Sequence, residues 1–514
     1  MNKNFLYCIC IVFPFLTFCC KSQGQTDEED LSVPAVATDT WLINSLSDIE
    51  TYGSAKPSNR VSLNMAKNET EHVQLVIRTG TDETLDIERN GNEAALDFEC
   101  RELKTFEKMQ DVLVPCGTEV TPRDGLVKVW LSFKTSSRTA AGNYKEIIKF
   151  RNQTTGTEYA VALSITVKDV TIPETPSLPC VFGINPENFM LSGLTEDQKT
   201  EKRKEISDLL LTYRISPYFS TWLSGTMQTE CFSSPYGWED SRTWEYLKDP
   251  RFTKVALPFH GLKDDELSEM LAKADNEGVL DNAYFYIWDE PTKTSEYARI
   301  HEMADRLHTR SVKAKVLTSF YRGPEDGDKA GDLFATFDLL DGATSIFCTS
   351  TWALDDNENK AAMCRAKLKE GQEWWSYVCM SLVPGLANNS SGIANKAMMW
   401  RFWKERDSGF LYWVVNAFSS INPLKSRSDL PEGDGILVYP GEPFGCDRPC
   451  VSLRLERWRD GAEDYEFLTL YEKKFGRSAT EAVLANVYTS PAKYTDNVKY
   501  ADALKNKLIN GLTK

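Results

Sequence analysis

The sequence predicts a β-sandwich followed by a (β/α)8 barrel of the TIM type. Residues 36–172 contain short runs in which apolar and polar residues alternate, without helical periodicity. Residues 173–180 form a proline-rich linker, and residues 181–475 then alternate apolar strands with amphipathic segments of helical length. Residues 476–514 are expected to form a C-terminal helical extension.

The β-sandwich is predicted from runs rich in β-branched and aromatic residues. Turn residues such as Gly142 and Asn143 separate these runs. The most regular runs are residues 71–77, 126–131, 144–150 and 160–167. The three prolines of the linker cannot donate a backbone hydrogen bond to a sheet, so the linker marks a domain boundary.

The barrel is predicted from the number and order of its strands. The predicted strands are residues 181–185, 215–221, 254–260, 283–289, 315–320, 344–349, 374–380 and 409–415. Eight such strands with helical crossovers are the number that closes a (β/α)8 barrel. Residues 223–252 lack a clear helix, so we expect a long loop there on the active face. A doubly wound open sheet is the alternative, but residues 183–186 (GINP) are not a glycine-rich phosphate turn.

The composition favours an uncharged substrate. The formal net charge is −16, which disfavours nucleic acid and anionic lipid as partners. The chain has four histidines and contains neither an H-E-x-x-H nor a C-x-x-C motif, so we expect no metal and no cofactor. The 13 Trp and 20 Tyr residues can stack on sugars, although most of them will fill the core.

The N-terminus is typical of an export signal. Lys3 precedes an apolar run at residues 5–18, which is too short to span a bilayer. The run ends at Cys19 and Cys20 and resembles a bacterial lipoprotein signal, in which a cysteine becomes the acylated first residue. We expect residues 1–20 to be the signal peptide, Cys20 the lipid anchor and residues 21–35 a flexible tether. The protein would be a monomeric or weakly associating lipoprotein of the cell envelope, in the periplasm or outer membrane.

The candidate reaction centre is Asp289-Glu290, at the end of the fourth predicted barrel strand. Barrel enzymes carry their reacting groups at the C-terminal mouth of the strands. Pro291 is expected to hold Glu290 in an extended conformation. Successive side chains of a strand face opposite ways, so the backbone must leave the regular pleat for both acids to reach one pocket. The alternative is a solvated acidic turn at the start of the next helix.

Adjacent acids suit substrate-assisted cleavage of a glycosidic bond. Two-carboxylate glycosidases usually take their acids from different strands, and residues 373–379 of the seventh predicted strand end without an acid. In the substrate-assisted reaction, the 2-acetamido oxygen of the sugar attacks the anomeric carbon. Asp289 would orient that amide and stay ionised, and Glu290, with a raised pKa, would act as general acid and then as general base.

Candidate substrate-binding residues lie at or just beyond the predicted strand ends. They are Trp222, His260, Tyr321, Trp352, Trp375, Tyr377, Trp413 and Asn416. Trp375, Tyr377 and Trp413 would form an aromatic box for the acetamido methyl group. Because alternate residues of a strand face opposite sides, each candidate either lines the pocket or points to the outer helices. His260 would either bind a sugar hydroxyl or have a structural role.

Several motifs of the mature chain resemble those of one enzyme family. They are residues 67–74 (KNETEHVQ), 172–179 (IPETPSLP), 289–291 (DEP), 409–413 (GFLYW), 433–435 (GDG) and 452–466 (SLRLERWRDGAEDYE). With these motifs the chain resembles glycoside hydrolase family 123, the retaining β-N-acetylgalactosaminidases, and the uncharacterised bacterial proteins that share its catalytic domain. The resemblance implies that Asp289 orients the acetamido group and that Glu290 is the acid/base. It also implies a substrate with terminal β-linked N-acetylhexosamine, specifically GalNAc, on a glycan or glycolipid.

The last motif is predicted to lie on a helix and to be structural. Arg454, Arg459, Glu463 and Asp464 are spaced so that their charges would lock this helix to the barrel.

Two other functions remain compatible with the sequence. The first is a glycosidase for a sugar without the acetamido group, with Asp355 or Asp356 as nucleophile. The second is a glycan-binding envelope protein whose barrel is catalytically inactive. Activity on 2-hydroxy glycosides would favour the former, and binding without turnover the latter.

Overall fold

The structure, a computed structural model, describes residues 38–513 except 93, 189–192, 224–227, 356, 381–383, 389, 420–421 and 423–424. The predicted signal peptide, the anchor Cys20 and the tether therefore lie outside the described residues. None of the helices in the described range has the length and apolar character that a membrane span requires.

The N-terminal part consists of strands. They are β1 (Thr40–Asn44), β2 (Arg60–Lys67), β3 (Thr70–Arg78), β4 (Leu85–Asn90), β5 (Asp97–Phe106), β6 (Met109–Pro115), β7 (Glu119–Val120), β8 (Leu126–Lys134), β9 (Gly142–Asn152) and β10 (Glu158–Thr171). One sheet contains β1, β3, β8, β5 and β6 in that order, and a second contains β2, β10, β9, β4 and β7. Leu75 and Leu131 of the first sheet share an apolar core with Phe150 and Leu163 of the second. The alternating runs predicted from the sequence are thus confirmed as strands.

The second part alternates strands and helices. Its elements are β11 (Cys180–Ile184), α1 (Glu196–Thr212), β12 (Ser216–Trp222), β13 (Thr229–Phe232), α2 (Ser241–Tyr246), β14 (Val255–Ala256), α3 (Asp264–Asn276), β15 (Ala283–Asp289), α4 (Thr294–His308), β16 (Val316–Phe320), α5 (Ala335–Leu339), β17 (Ile346–Ser350), α6 (Glu358–Lys367), β18 (Glu373–Val378), α7 (Gly392–Glu405) and β19 (Gly409–Tyr412). All eight predicted barrel strands coincide with observed strands, although β14 is much shorter than the predicted run. The segment predicted as a long loop contains β13 and α2.

These strands form a large, nearly closed barrel-like sheet. The order is β13-β12-β11-β19-β18-β17-β16-β15-β14, and every pairing is parallel except that of β13 with β12. At the remaining gap, the amide of Ser233 after β13 donates to the carbonyl of Ala256 in β14 at 3.0 Å. Each of the nine strands contributes side chains to the interior, which is therefore packed rather than hollow.

The chain then returns to the N-terminal part before it ends in helices. The remaining elements are β20 (Val438–Tyr439), β21 (Cys450–Ser452), α8 (Leu453–Phe475), α9 (Arg477–Leu484), β22 (Tyr488–Ser490), β23 (Lys493–Tyr494) and α10 (Val498–Leu512). Strand β21 pairs with β6 and β20 pairs with β21, so both extend the first N-terminal sheet. The predicted domain boundaries stay a prediction, but the two parts of the chain share this sheet.

Helix α8 connects the two parts through buried charges. Arg454 pairs with Asp111 of β6 at 2.8 Å, and Glu463 accepts a hydrogen bond from the amide of Thr70 in β3. Asp464 pairs with Lys396 of α7 at 3.2 Å. Of the residues predicted to form a charge lattice, Arg454 and Asp464 thus pair with the N-terminal sheet and with α7, whereas the ion pair of Arg459 is with Glu456 of α8 itself.

Candidate active site

The backbone of β15 leaves the regular pleat just before the two acids. Tyr286 pairs with Leu317 and Trp288 pairs with Thr318, so Ile287 is an extra residue, a β-bulge. Tyr284 and Tyr286 face the barrel interior, whereas Ile287 and Trp288 both pack on the helix side. The bulge therefore shifts the alternation by one residue and turns Asp289 toward the interior.

Asp289 lies in a buried polar pocket at the C-terminal end of β15. Its Oδ1 accepts hydrogen bonds from the hydroxyl of Tyr286 and, at 2.5 Å, from that of Ser319 in β16. Burial raises the pKa of Asp289 above its ordinary value, and the Ser319 and Tyr286 hydroxyls act against this by stabilising the ionised form. No described residue donates a hydrogen bond to Oδ2 of Asp289.

Glu290 reaches the same pocket through a left-handed backbone conformation. Its φ is 48°, so the expectation that Pro291 holds it extended was wrong. Its amide donates to the backbone carbonyl of Ser319 at 3.1 Å, which anchors the turn to the neighbouring strand. A non-glycine residue in this region is strained by about 1–3 kcal/mol, a strain often found at functional sites.

The surroundings of Glu290 favour its protonated form near neutral pH. Burial and the neighbouring charge of Asp289 raise the pKa of Glu290 to about 7, and Tyr377 and Arg322 oppose the rise. The hydroxyl of Tyr377, in β18, donates to Oε1 of Glu290. Within the described residues Oε2 has no hydrogen-bond partner. The pair thus combines a carboxyl suited to donate a proton with a carboxylate suited to hold a positive or N–H group.

His260 contacts the bulge and not the acids. Its Nε2 lies 2.9 Å from the carbonyl oxygen of Ile287, the extra residue of β15. A carbonyl oxygen can only accept, so the ring nitrogen donates this hydrogen bond, and burial lowers the pKa of His260. Its own amide donates to Glu230 of β13 at 2.6 Å. Of the two roles considered from the sequence, the geometry favours the structural one.

Tyr321 and Trp352 follow β16 and β17 at the mouth of the barrel. Their rings lie 5.8 Å apart at an angle of 52°. Tyr321 is half-buried and packs on the interior core, whereas Trp352 is exposed. Burial raises the pKa of Tyr321, Arg322 opposes the rise and the charge of Glu290 adds to it.

Trp375 does not reach the acids. It precedes Tyr377 by two residues in β18 and therefore lies deeper in the interior, away from the C-terminal end of the strand. Its indole N–H donates to Glu373, the first residue of that strand, at 3.1 Å. A Cβ atom on Gly409 would lie 2.3 Å from this ring, so glycine is needed there. Trp375 is a core residue of the barrel-like sheet, and of the three residues of the predicted aromatic box only Tyr377 contacts one of the two acids, Glu290.

Trp413 and Asn416 make other contacts near the mouth. Trp413 packs beside Gly435. Asn416 is fully buried and uses its amide group on the backbone of Asn185, with hydrogen bonds of 2.8 and 2.7 Å. It therefore joins the ends of β11 and β19. Trp222 is the last residue of β12, and its side chain lies outside the described part.

Two residues of the site, Tyr286 and Ser319, which bind Asp289, were not predicted. Asp434 is a further buried acid, which accepts hydrogen bonds from the Met380 amide at 2.8 Å and the Tyr412 hydroxyl at 3.1 Å. Tyr286 and Ser319 lay on predicted strands, but their direction depends on the bulge. Asp434 lay in the GDG motif without an assigned role. Among the described residues, no group of three His, Cys, Asp or Glu side chains is placed to hold a metal ion.

Two comparisons relate the chain to known proteins. Residues 212–471 match the family model for the glycoside hydrolase 123 catalytic domain. The structure is similar to that of a family 123 glycoside hydrolase from Clostridium perfringens, with a TM-score of 0.66 and 13% identity over 92% of this chain and 97% of that chain.

More distant likenesses include a family 2 β-galacturonidase from Eisenbergiella tayi, with a TM-score of 0.30 and 12% identity over 76% of this chain and 69% of that chain. No curated protein matches the sequence. The family model covers just over half of the chain, including both acids. The chain is therefore a member of glycoside hydrolase family 123 and is an enzyme that cleaves glycosidic bonds.

Proposed function

We propose that the enzyme removes terminal β-linked N-acetylhexosamine, specifically GalNAc, with retention of configuration. The observation that carries this proposal is the pairing of two adjacent acids with different surroundings. Glu290, with a pKa of about 7, is suited to act as acid and then as base. Two hydroxyls donate hydrogen bonds to Oδ1 of Asp289 and fix this side chain, so that its Oδ2 can accept a hydrogen bond from the substrate.

The proposed reaction has two steps. Glu290 gives its proton to the glycosidic oxygen while the acetamido carbonyl oxygen attacks the anomeric carbon and the bond to the leaving group breaks. The product is an oxazolinium ion whose N–H is held by Asp289. Glu290 then takes a proton from water, the water oxygen attacks the anomeric carbon, and the oxazolinium ring opens to the β-anomer.

The substrate is proposed from this chemistry together with the structural relative. The Clostridium perfringens enzyme is described as hydrolysing glycolipid glycans. A buried acid pair beneath an open mouth suits removal of a terminal sugar, because the sugar enters the pocket and the rest of the glycan stays outside.

Paired glycosides test the proposal. Wild-type enzyme is expected to cleave a chromogenic β-GalNAc glycoside, to release the β-anomer first in proton NMR and to be inhibited by a thiazoline analogue of the oxazolinium ion. The 2-hydroxy galactoside is the matched control. Equal cleavage of both glycosides, or release of the α-anomer, would contradict the substrate-assisted reaction and favour a separate nucleophile. Asp355 is a poor candidate for that role, because its side chain is 69% exposed and paired with Lys360.

We also propose that the barrel-like sheet is a (β/α)8 barrel interrupted by β13. The alternation of strands and helices and the packed interior support this description. The two N-terminal sheets with their common core are likewise proposed to be a β-sandwich.

Export and anchoring at Cys20 are proposed from the sequence alone. Expression in a bacterium with radiolabelled palmitate is expected to label the full-length protein in the membrane fraction. Cys20→Ser is expected to lose the label, and Cys19→Ser, the neighbouring control, is expected to keep it. Label that persists in Cys20→Ser would contradict this anchor.

A further inference from the structure

We propose that the exposed indole of Trp352, supported by Tyr321, binds the leaving sugar, a neutral hexopyranose. This inference rests on the proposed function, because it takes Glu290 as the group that protonates the leaving oxygen. It adds a second sugar site to the pocket that holds the N-acetylhexosamine.

The two rings lie at the ends of neighbouring strands beside the acids. Tyr321 directly follows β16, two residues after Ser319, which binds Asp289, and it packs on the interior core. Trp352 lies in the turn after β17, two residues after Ser350, which pairs with Tyr377, and its ring lies 5.8 Å from that of Tyr321. The Tyr321 ring thus connects the interior to the exposed Trp352 ring at the mouth, where the leaving group must exit.

The rings are held in place by their neighbours. The guanidinium of Arg322 lies 4.9 Å from the Tyr321 ring centroid and is itself paired with Glu325. The amide of Trp352 donates to the hydroxyl of Ser350 at 3.2 Å. A ring fixed before binding loses little conformational entropy when a ligand stacks on it, which favours affinity.

The exposure of Trp352 is unusual for so large an apolar ring. Its exposed fraction is 54%, and only Val312, Met363, Met380, Phe475 and Tyr500 are comparable among the described large apolar residues. Of these, Met380 alone also follows a barrel strand at the mouth. A flat exposed indole beside a glycosidase pocket fits the C–H face of a pyranose. The nearby cation, Arg322, is already paired with Glu325, which favours a neutral sugar over an anionic one.

Two substrates that differ only in the leaving group test the site. The first is the disaccharide β-GalNAc-(1→4)-galactose as its methyl glycoside, and the second is methyl β-GalNAc, which has no leaving sugar. Trp352→Ala is expected to lower kcat/KM on the disaccharide about tenfold, mainly through KM, which corresponds to about 1.4 kcal/mol of lost stacking energy. On methyl β-GalNAc the change is expected to stay within about twofold.

Trp352→Phe and Tyr500→Ala are the controls. Trp352→Phe keeps a flat ring and is expected to recover most of the loss, and Tyr500→Ala, which removes an equally exposed ring from α10, is expected to have no effect. An equal loss on both substrates, or no loss on the disaccharide, would overturn the inference.

A wild-type enzyme that cleaves neither substrate would overturn the proposed function instead. The sugar site is then tested by saturation-transfer NMR with methyl β-galactoside. A signal seen with wild type and lost in Trp352→Ala supports the site. A signal that is absent or unchanged in the variant overturns it.

Discussion

At the scale of single residues, the site is governed by which group contacts each carboxyl oxygen. Asp289, Glu290 and Tyr377 were identified from the sequence because the end of a barrel strand is a place where functional side chains collect. Tyr286 and Ser319 were not, because their contacts with Asp289 depend on a local shift in strand register. Trp375 was misplaced for a related reason, since its height in the barrel cannot be read from its position in a run of apolar residues.

The activity is expected to fall as the pH rises through about 7. Glu290 must be protonated for the first step, and its pKa is about 7. Asp289→Asn removes a negative charge that raises the pKa of Glu290, so the basic limb of the pH profile should move to lower pH. The variant should also lose about two orders of magnitude or more in rate. The pH profile of kcat/KM for both enzymes measures this. A basic limb that does not move would show that another group controls it.

Tyr377→Phe is expected to move the basic limb of the pH profile to higher pH. The Tyr377 hydroxyl stabilises the ionised form of Glu290, so its removal should raise the pKa of Glu290. Tyr286→Phe is the matched control, because it removes a hydroxyl from the same interior that contacts Asp289. A smaller upward shift in Tyr377→Phe than in Tyr286→Phe would contradict the assignment.

Glu290→Gln is expected to stabilise the protein above neutral pH. The folded-state pKa of Glu290 is raised, so its favourable contribution is present below about pH 4 and is lost as the pH rises through about 7. The glutamine oxygen still accepts the Tyr377 hydrogen bond but carries no charge. Thermal unfolding at pH 8 should therefore show a higher Tm for the variant, with the difference vanishing near pH 4. A lower Tm for Glu290→Gln than for wild type at pH 8 would show that the charge of Glu290 does not destabilise the folded protein.

At the scale of elements, the strands could be predicted from the sequence more readily than the β-bulge within β15. Long apolar runs such as β15 and β18 follow from composition and spacing alone. The bulge at Ile287 could not be predicted, because the sequence of β15 is apolar on both faces and gives no sign of where the alternation changes. The sequence did require a departure from the pleat near Asp289, and the structure places that departure two residues earlier.

His260 is expected to position the acids by fixing this bulge. His260→Leu leaves the Ile287 carbonyl without its partner, and an unpaired buried carbonyl costs about 1–3 kcal/mol. We expect kcat to fall about tenfold or more with KM nearly constant, because the loss acts through the position of Asp289. His260→Gln can still donate from a similar position and should recover most of the rate. If glutamine and leucine variants behave alike, the hydrogen bond to the bulge has no role.

At the scale of the whole molecule, buried charges on α8 hold the two parts together. Glu456 pairs with Arg101 of β5 at 2.5 Å and with His72 of β3 at 3.2 Å. Burial raises the pKa of Glu456, but Arg101 and Arg459 outweigh it and keep the pKa well below its ordinary value. The resulting stability is present above about pH 4 and is lost as the pH falls toward the folded-state pKa.

Glu456→Gln is expected to lower the free energy of unfolding by about 3–5 kcal/mol, because it removes the buried carboxylate that pairs with both Arg101 and Arg459. Urea denaturation at pH 7 measures the change. Glu302→Gln, which breaks an exposed pair with Arg299, should change it by less than about 1 kcal/mol. Similar values for both variants would mean that the buried network does not hold the two parts together.

The pairing of β21 with β6 has a consequence for how the polypeptide folds. The hairpin at 438–452 completes a sheet whose other strands lie more than three hundred residues earlier in the chain. Until that hairpin pairs, one edge of β6 exposes unpaired amides and carbonyls to which other strands can bind. A fragment ending at residue 172 should therefore precipitate on expression, and a chaperone that covers this edge would protect the chain until it folds.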